Sequence, residues 1–450
     1  MTVSSEKSTR TRFRVLRTLL FFAVLLAIGG ASAILAFPAL QNMLTPLSER
    51  YRHEGDTFIA DGRLPESVLS YRQAVEADPK NVQALLSLAG AYEQQGRLRL
   101  ANRYRSQVAA LRGEEAPPSP IPETKPHSLA LHWLVQAGEV APTGGVISNG
   151  LILAAYEDGL VAAVRADDGA LQWKTRLPDS LTSAPAADGK MIYVGDIQGN
   201  LHALSLADGH EAWSFTAGGS LHAAPLAAGE TIFCSSSNGT LFALAPDRSL
   251  RWKFTAPVGL YGAPTLAEGR LYLGANDGRL YALDASSGAL AWPSGIATNG
   301  AIESQPVVAD GRVIFGSGDG RIYALAVESG GQYWRYSTPD AVFAPVVVQE
   351  GVVYVASSGK TLSAADFLSG RRIWQSELPA PLRNPPAVQG ERIYQLGEAN
   401  PDLFVLDRQS GKLLESIPTG DWTAAGPWIE GNSLFILGKD GAVLAYSLPG

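Results

Sequence analysis

Residues 278–292, GRLYALDASSGALAW, belong to a repeat that limits the fold of this chain more than any other feature. Leu280 and Ala282 alternate with Tyr281 and Leu283, so a strand here is apolar on both faces. Ser286, Ser287 and Gly288 supply a tight turn, with Gly free to adopt positive φ. Trp292 ends the unit. The same tryptophan returns at Trp133, Trp173, Trp213, Trp252, Trp334 and Trp374, at spacings of 39 to 42, with Glu415 at the eighth place. A proline marks each unit, at Pro142, Pro185, Pro225, Pro264, Pro306, Pro345, Pro386 and Pro427. A period near 40 with four short strands per unit predicts a β-propeller, and eight units predict eight blades. The middle strands, such as RIYALA at 321–326, should be buried on both sides, because each sheet has neighbours on both faces.

The two ends of the array complement each other. The last unit stops at GAVLAYSL (441–448), after its third strand, and a tryptophan-bearing strand, LALHWLV, stands alone at 129–135. One blade is therefore expected to draw strands from both ends, which closes the ring and removes a free edge.

The turn-and-tryptophan motif, seen as Asp284, Gly288, Trp292 and as Gly169/Trp173, Gly209/Trp213, Gly330/Trp334 and Gly370/Trp374, resembles the PQQ-type repeat of quinoprotein-like eight-bladed propellers. No Trp-Asp dipeptide occurs, which argues against WD40 repeats. Arg248 departs from the pattern where Gly is expected, and Glu415 replaces Trp, so the seventh blade is expected to dock loosely. The resemblance implies either of two functions. Quinoprotein dehydrogenases hold PQQ and calcium over the propeller axis, but they carry insertions and often an adjacent cysteine pair; here the units are bare and Cys234 is the only cysteine. The chain is also similar to the propeller subunit of the outer-membrane β-barrel assembly machinery, a lipoprotein without a helical repeat segment. That likeness implies a protein–protein interaction scaffold with no cofactor. A quinoprotein-like oxidoreductase, with PQQ and calcium, is the alternative.

Ahead of the propeller, taken as 128–450, four further segments are expected. Residues 1–18 carry Lys7, Arg10, Arg12, Arg14 and Arg17 against Glu6, and 19–40 is uncharged and long enough to span a bilayer. This predicts a cytoplasmic tail and a single transmembrane anchor, with the rest of the chain on the extracytoplasmic side, in the periplasm or at the cell surface. A cleaved signal peptide is the rival, because Ala31, Ser32 and Ala33 have the form of a cleavage site. Residues 41–113 read as helices repeating at 34: Gly55/Ala89, Phe58/Tyr92 and Gly62/Gly96 correspond, which resembles a tetratricopeptide pair. Residues 114–127 are a proline-rich spacer. The formal charge is −7 overall, yet the basic tail and the helical segment are net positive, leaving roughly −13 for the remainder. An acidic propeller excludes nucleic acid as an expected partner.

Candidate site residues are few. Asp158, Asn238, Asp277, Asp319 and Asp440 each precede Gly at equivalent places; a metal ring is conceivable, but the Asp-Gly hairpin turn is the ordinary reading. His202 occupies the slot of Tyr281 and Tyr323 and reads as a wall residue. No catalytic or metal-ligating set emerges from spacing. Arg97, Arg99, Arg103, Arg105 and Arg112 lie in the last helix with no acid among them. They form either a solvated face or a basic surface for an anionic partner or lipid headgroups. Three residues before each blade proline lie Glu139, Thr182, His222, Tyr261, Glu303, Val342, Arg383 and Ala424. A structural position should look uniform; this one varies. The polar members, Glu139, Thr182, His222, Tyr261, Glu303 and Arg383, are candidate ligand-binding residues at the rim of the channel, with plain solvent exposure as the competing reading.

Overall fold

Glycine turns and paired apolar strands build eight four-stranded antiparallel sheets in the computed structural model, which describes residues 45–114 and 128–449 apart from Gly96, Ser294, Ala399, Asp421 and Trp422. The expected tail, the anchor stretch 19–40 and nearly all of the proline-rich spacer lie outside the described residues. Among the described residues, no helix is long and apolar enough to cross a membrane. The chain divides into two compact units, one helical and one made of the sheets.

In seven of the blades the strands follow chain order from the inside outward. Blade five shows the logic: Val307–Ala309, Arg312–Ser317, Arg321–Ala326 and Gln332–Ser337. The second and third strands are buried along nearly their whole length, because a neighbouring blade covers each face. The fourth strand alternates between exposed and covered positions, as an edge strand with one solvated side should.

The eighth blade confirms the expected closure. Its outer strand, Ala130–Gln136, pairs antiparallel with Ala442–Ser447, from Ala130 with Ser447 to Gln136 with Ala442, with a register shift between Leu131 and Trp133. The Gln136 side-chain amide adds bonds to the carbonyls of Asp440 (2.6 Å) and Gly138 (2.7 Å).

Five of the repeat tryptophans make the same contact between blades. The Trp173 indole N–H donates to the Leu206 carbonyl of the next blade at 3.0 Å, and Trp133, Trp252, Trp334 and Trp374 do the same to Ala166, Ala285, Phe367 and Arg408. The ring then lies on the turn glycine of that blade. A Cβ on Gly209 would sit 2.4 Å from Trp173, and one on Gly169 would sit 2.7 Å from Trp133. These glycines also have φ near +72°, so two independent constraints select Gly.

The three departures from the repeat have physical causes. In the fourth blade the strand expected to reach Trp292 is broken. Leu290 makes one bridge to Leu283, and the fourth strand is only Ile296–Ala297, because Pro293 has no N–H to give the ladder. Trp292 turns inward, 1% exposed, and bonds Val327 at 3.1 Å. In the third blade Arg248 takes the left-handed backbone of the missing glycine, at φ 65°. Glu415 is explained by the closure itself. The turn that would receive a tryptophan from blade seven does not exist, since the third and fourth strands of blade eight come from opposite ends of the chain. The Glu415 carboxylate instead accepts the Ser128 N–H at 3.1 Å. This contact stands where the other blades have their tryptophan's bond.

The helical unit holds α1 (Leu47–Ala60), α2 (Leu64–Ala77), α3 (Val82–Gln94) and α4 (Leu98–Arg112). Small residues let the helices approach: a Cβ on Gly55 would lie 2.4 Å from the Tyr71 ring. Tyr92 and Tyr104 stack at 5.8 Å within the core of the unit. Asn81 caps α3 through the Ala84 N–H at 3.0 Å and reaches back to Glu49 on α1 at 2.8 Å.

Two outcomes follow from these contacts. Trp133→Ala in the full-length protein should cost about 3 kcal/mol, the range for truncating a packed aromatic, against less than about 1 kcal/mol for exposed Tyr333→Ala. Chemical denaturation of the two variants checks this, and equal losses would contradict the closure role. Asp284 takes four hydrogen bonds, from the hydroxyls and the N–H groups of Ser286 and Ser287, at 2.6 to 3.1 Å, and these hold its carboxyl down from 3.8 to about 2. Because the folded value is the lower one, the turn's contribution is fully present above pH 3.8 and is lost as pH falls through about 2. Carboxyl-carbon NMR should give Asp284 a midpoint near 2, and the Ser286→Ala, Ser287→Ala double variant should raise it towards 3.8.

Candidate functional site

Just before its inner strand, each blade presents a short segment in which a buried residue precedes an outward one. The buried positions are Leu181, Leu221, Leu260, Ile302, Val342 and Leu382, all at or below 1% exposure. Their backbones hook onto the blade behind: Leu221 N–H bonds the Asp196 carbonyl at 3.1 Å, Ile302 bonds Ala275 at 3.1 Å and Val342 bonds Ser317 at 3.1 Å. Where that blade offers Gly195, Gly274 or Gly316, the buried side chain fills the space a Cβ would have taken.

The next residue in each segment forms the rim. Thr182, His222, Tyr261, Glu303 and Arg383 occupy it, with His222, Glu303 and Arg383 exposed and Thr182 and Tyr261 partly covered. Val342 does not; it belongs to the buried set, and the rim residue of that blade is Phe343. The cause is a proline that comes one residue early. Pro345 precedes Val346, which is 2% exposed and stands where the other blades have their proline. The row of buried apolar residues was the signal in the sequence that would have fixed the register.

Rim side chains from adjacent blades touch. His222 stacks on Tyr261 with centroids 5.3 Å apart and planes 23° apart, and its Nε2 lies 2.9 Å from the Ser220 hydroxyl. The Arg383 guanidinium lies over the Phe343 ring at 5.0 Å while its Nε sits 2.9 Å from a Glu398 carboxylate oxygen as an ion pair. Thr182 spends its hydroxyl on the Leu221 carbonyl at 2.7 Å, so it ties two blades together rather than facing a ligand. Glu139 and Ala424 are partly covered. Glu303 is exposed and makes no ion pair among the described residues.

The remaining candidates resolve as follows. Asp158, Asn238, Asp277, Asp319 and Asp440 are turn residues: each side-chain oxygen accepts the N–H two residues on, at 3.0 to 3.4 Å. His202 is more than a wall. It is buried with Nδ1 2.7 Å from Glu211 and Nε2 3.1 Å from Asp196, while the tyrosines in the same slot, Tyr281 and Tyr323, bond Asp277 and Asp319. Among the described residues, no three His, Cys, Asp or Glu side chains come together in a way that could hold a metal ion. Cys234 is buried in a blade strand, where burial pushes its thiol up to about 12. These residues do not fit the calcium and cysteine-pair chemistry of a quinoprotein centre. On α4, Arg105 pairs with Glu93 of α3 and Arg103 lies over the Tyr104 ring at 5.8 Å. The acid missing from that helix is supplied by its neighbour. Arg97 precedes α4 and Arg99 lies in its first turn.

A family model described as "Outer membrane protein assembly factor BamB" matches residues 157–248, 241–299 and 296–449. A tetratricopeptide-repeat model matches 55–96. No protein of curated function matches the chain. Among solved structures, BamB from Moraxella catarrhalis superposes with a TM-score of 0.63 at 19% identity, over 71% of this chain and 99% of that one. The computationally designed Ika8 protein gives 0.64 at 16% identity, over 70% and 99%. The quinohemoprotein alcohol dehydrogenase from Comamonas testosteroni gives 0.60 at 14% identity, over 72% and 77%. At these identities the likenesses speak for the fold alone.

Proposed function

Since the chain belongs to the family of the outer membrane protein assembly factor BamB, we propose that it is an envelope scaffold for protein–protein interaction, acting in outer-membrane protein assembly. The observation that carries this reading is the rim. Seven closely similar blades and one shared blade hold a ring whose contact positions are nevertheless unlike: His222, Tyr261, Glu303, Phe343 and Arg383. A rigid frame with varied surface residues suits recognition of an irregular protein surface. The tetratricopeptide pair adds a second module of a kind that stacks helices to display a binding surface.

In this reading, a single anchor at 19–40 holds the protein in the membrane with its basic tail in the cytoplasm and its propeller outside it. N-terminal sequencing of the mature protein should then return the unprocessed start, whereas a mature start at Ile34 would reveal a cleaved leader. Affinity capture from crosslinked membranes should enrich outer-membrane β-barrel proteins or their insertion machinery. Capture no better than that of an unrelated anchored protein would refute the assembly role.

A further inference from the structure

One sector of the rim sets an exposed carboxylate between two aromatic residues in blade order. In ring order, Glu303 stands between Tyr261 and Phe343, one blade to either side. These segments are close-packed, as a Cβ on Gly262 would meet the Glu303 carbonyl at 3.2 Å. Each flanking aromatic has a partner on its far side in ring order: His222 stacks on Tyr261 at 5.3 Å and Arg383 covers Phe343 at 5.0 Å. The charge of Arg383 is already met by Glu398. Glu303 has no such cation among the described residues.

We propose that the Tyr261–Glu303–Phe343 sector receives an arginine side chain presented by a partner protein. A planar guanidinium can lie against an aromatic face while donating two N–H bonds to a carboxylate, a combination that ammonium groups match less well. The rim already pairs a guanidinium with an aromatic ring and a carboxylate once, in Arg383 over Phe343 with Glu398 beside it. Long-range charge acts in the same direction, since the residues beyond the tail and the helical unit carry roughly −13, which attracts a cationic segment. The inference rests on the scaffold reading and names the chemistry of its contact.

The test uses the full-length protein in detergent and two fluorescein-labelled pentapeptides, Gly-Ser-Arg-Ser-Gly and the same peptide with neutral citrulline in place of arginine. Fluorescence anisotropy should show saturable binding of the arginine peptide and at least about ten-fold weaker binding of the citrulline peptide. Glu303→Gln should erase that difference, and Tyr261→Leu should weaken the arginine peptide severalfold. Both positions are rim residues, so unchanged melting temperatures serve as the folding control. Equal binding of the two peptides, no saturation at millimolar peptide, or an unaltered preference in Glu303→Gln would overturn the proposal. If the preference is absent while envelope partners are still captured by Glu303→Gln from crosslinked membranes, only the arginine contact fails. If no partner is captured even by the unaltered protein, it is the scaffold reading that fails.

Discussion

The contact on which this propeller depends is an indole laid flat on a glycine. A four-stranded blade can bury its middle strands only against another blade, so the angle and distance between neighbours decide whether the core is filled. The tryptophan sets both. Its ring stops on a turn that has no side chain, and its N–H reaches a carbonyl beside that turn, as Trp173 does with Gly209 and Leu206. The hydrogen bond removes the cost of burying the indole nitrogen, while the flat contact fixes the spacing. Repetition of one local contact around a closed ring produces a global shape.

Most of this was legible in the chain, because the contact requires particular residues at a particular interval. Trp and Gly 36 residues apart, as in Trp133 and Gly169, record the packing of one blade on the next. What escaped the reading were substitutions whose cause lies elsewhere in the ring. Glu415 looks like a weakened tryptophan until the missing turn in blade eight is seen. Pro293 interrupts an edge strand without disturbing the interior, so the repeat hides the break.

The rim was legible in position and less so in chemistry. Counting back from a proline gave the right residue in most blades but failed where Pro345 slid forward, because proline tolerates a shift at the entrance to an edge-like inner strand. The buried residue one place earlier cannot slide, since it fills a fixed gap in the blade behind. Pairings such as Phe343 with Arg383 join residues 40 apart in sequence and could not be inferred until the register was known.

The shared eighth blade also sets an order of events for synthesis. The strand Ala130–Gln136 emerges early, yet its partner Ala442–Ser447 lies among the last residues made. Until then the ring is an open arc with an unpaired edge at its start. Pairing across some three hundred residues is the kind of non-local contact that forms late. A chain interrupted anywhere before its final strand is thus left with an exposed, sticky edge. Complete synthesis is built in as a condition for a ring without a free edge.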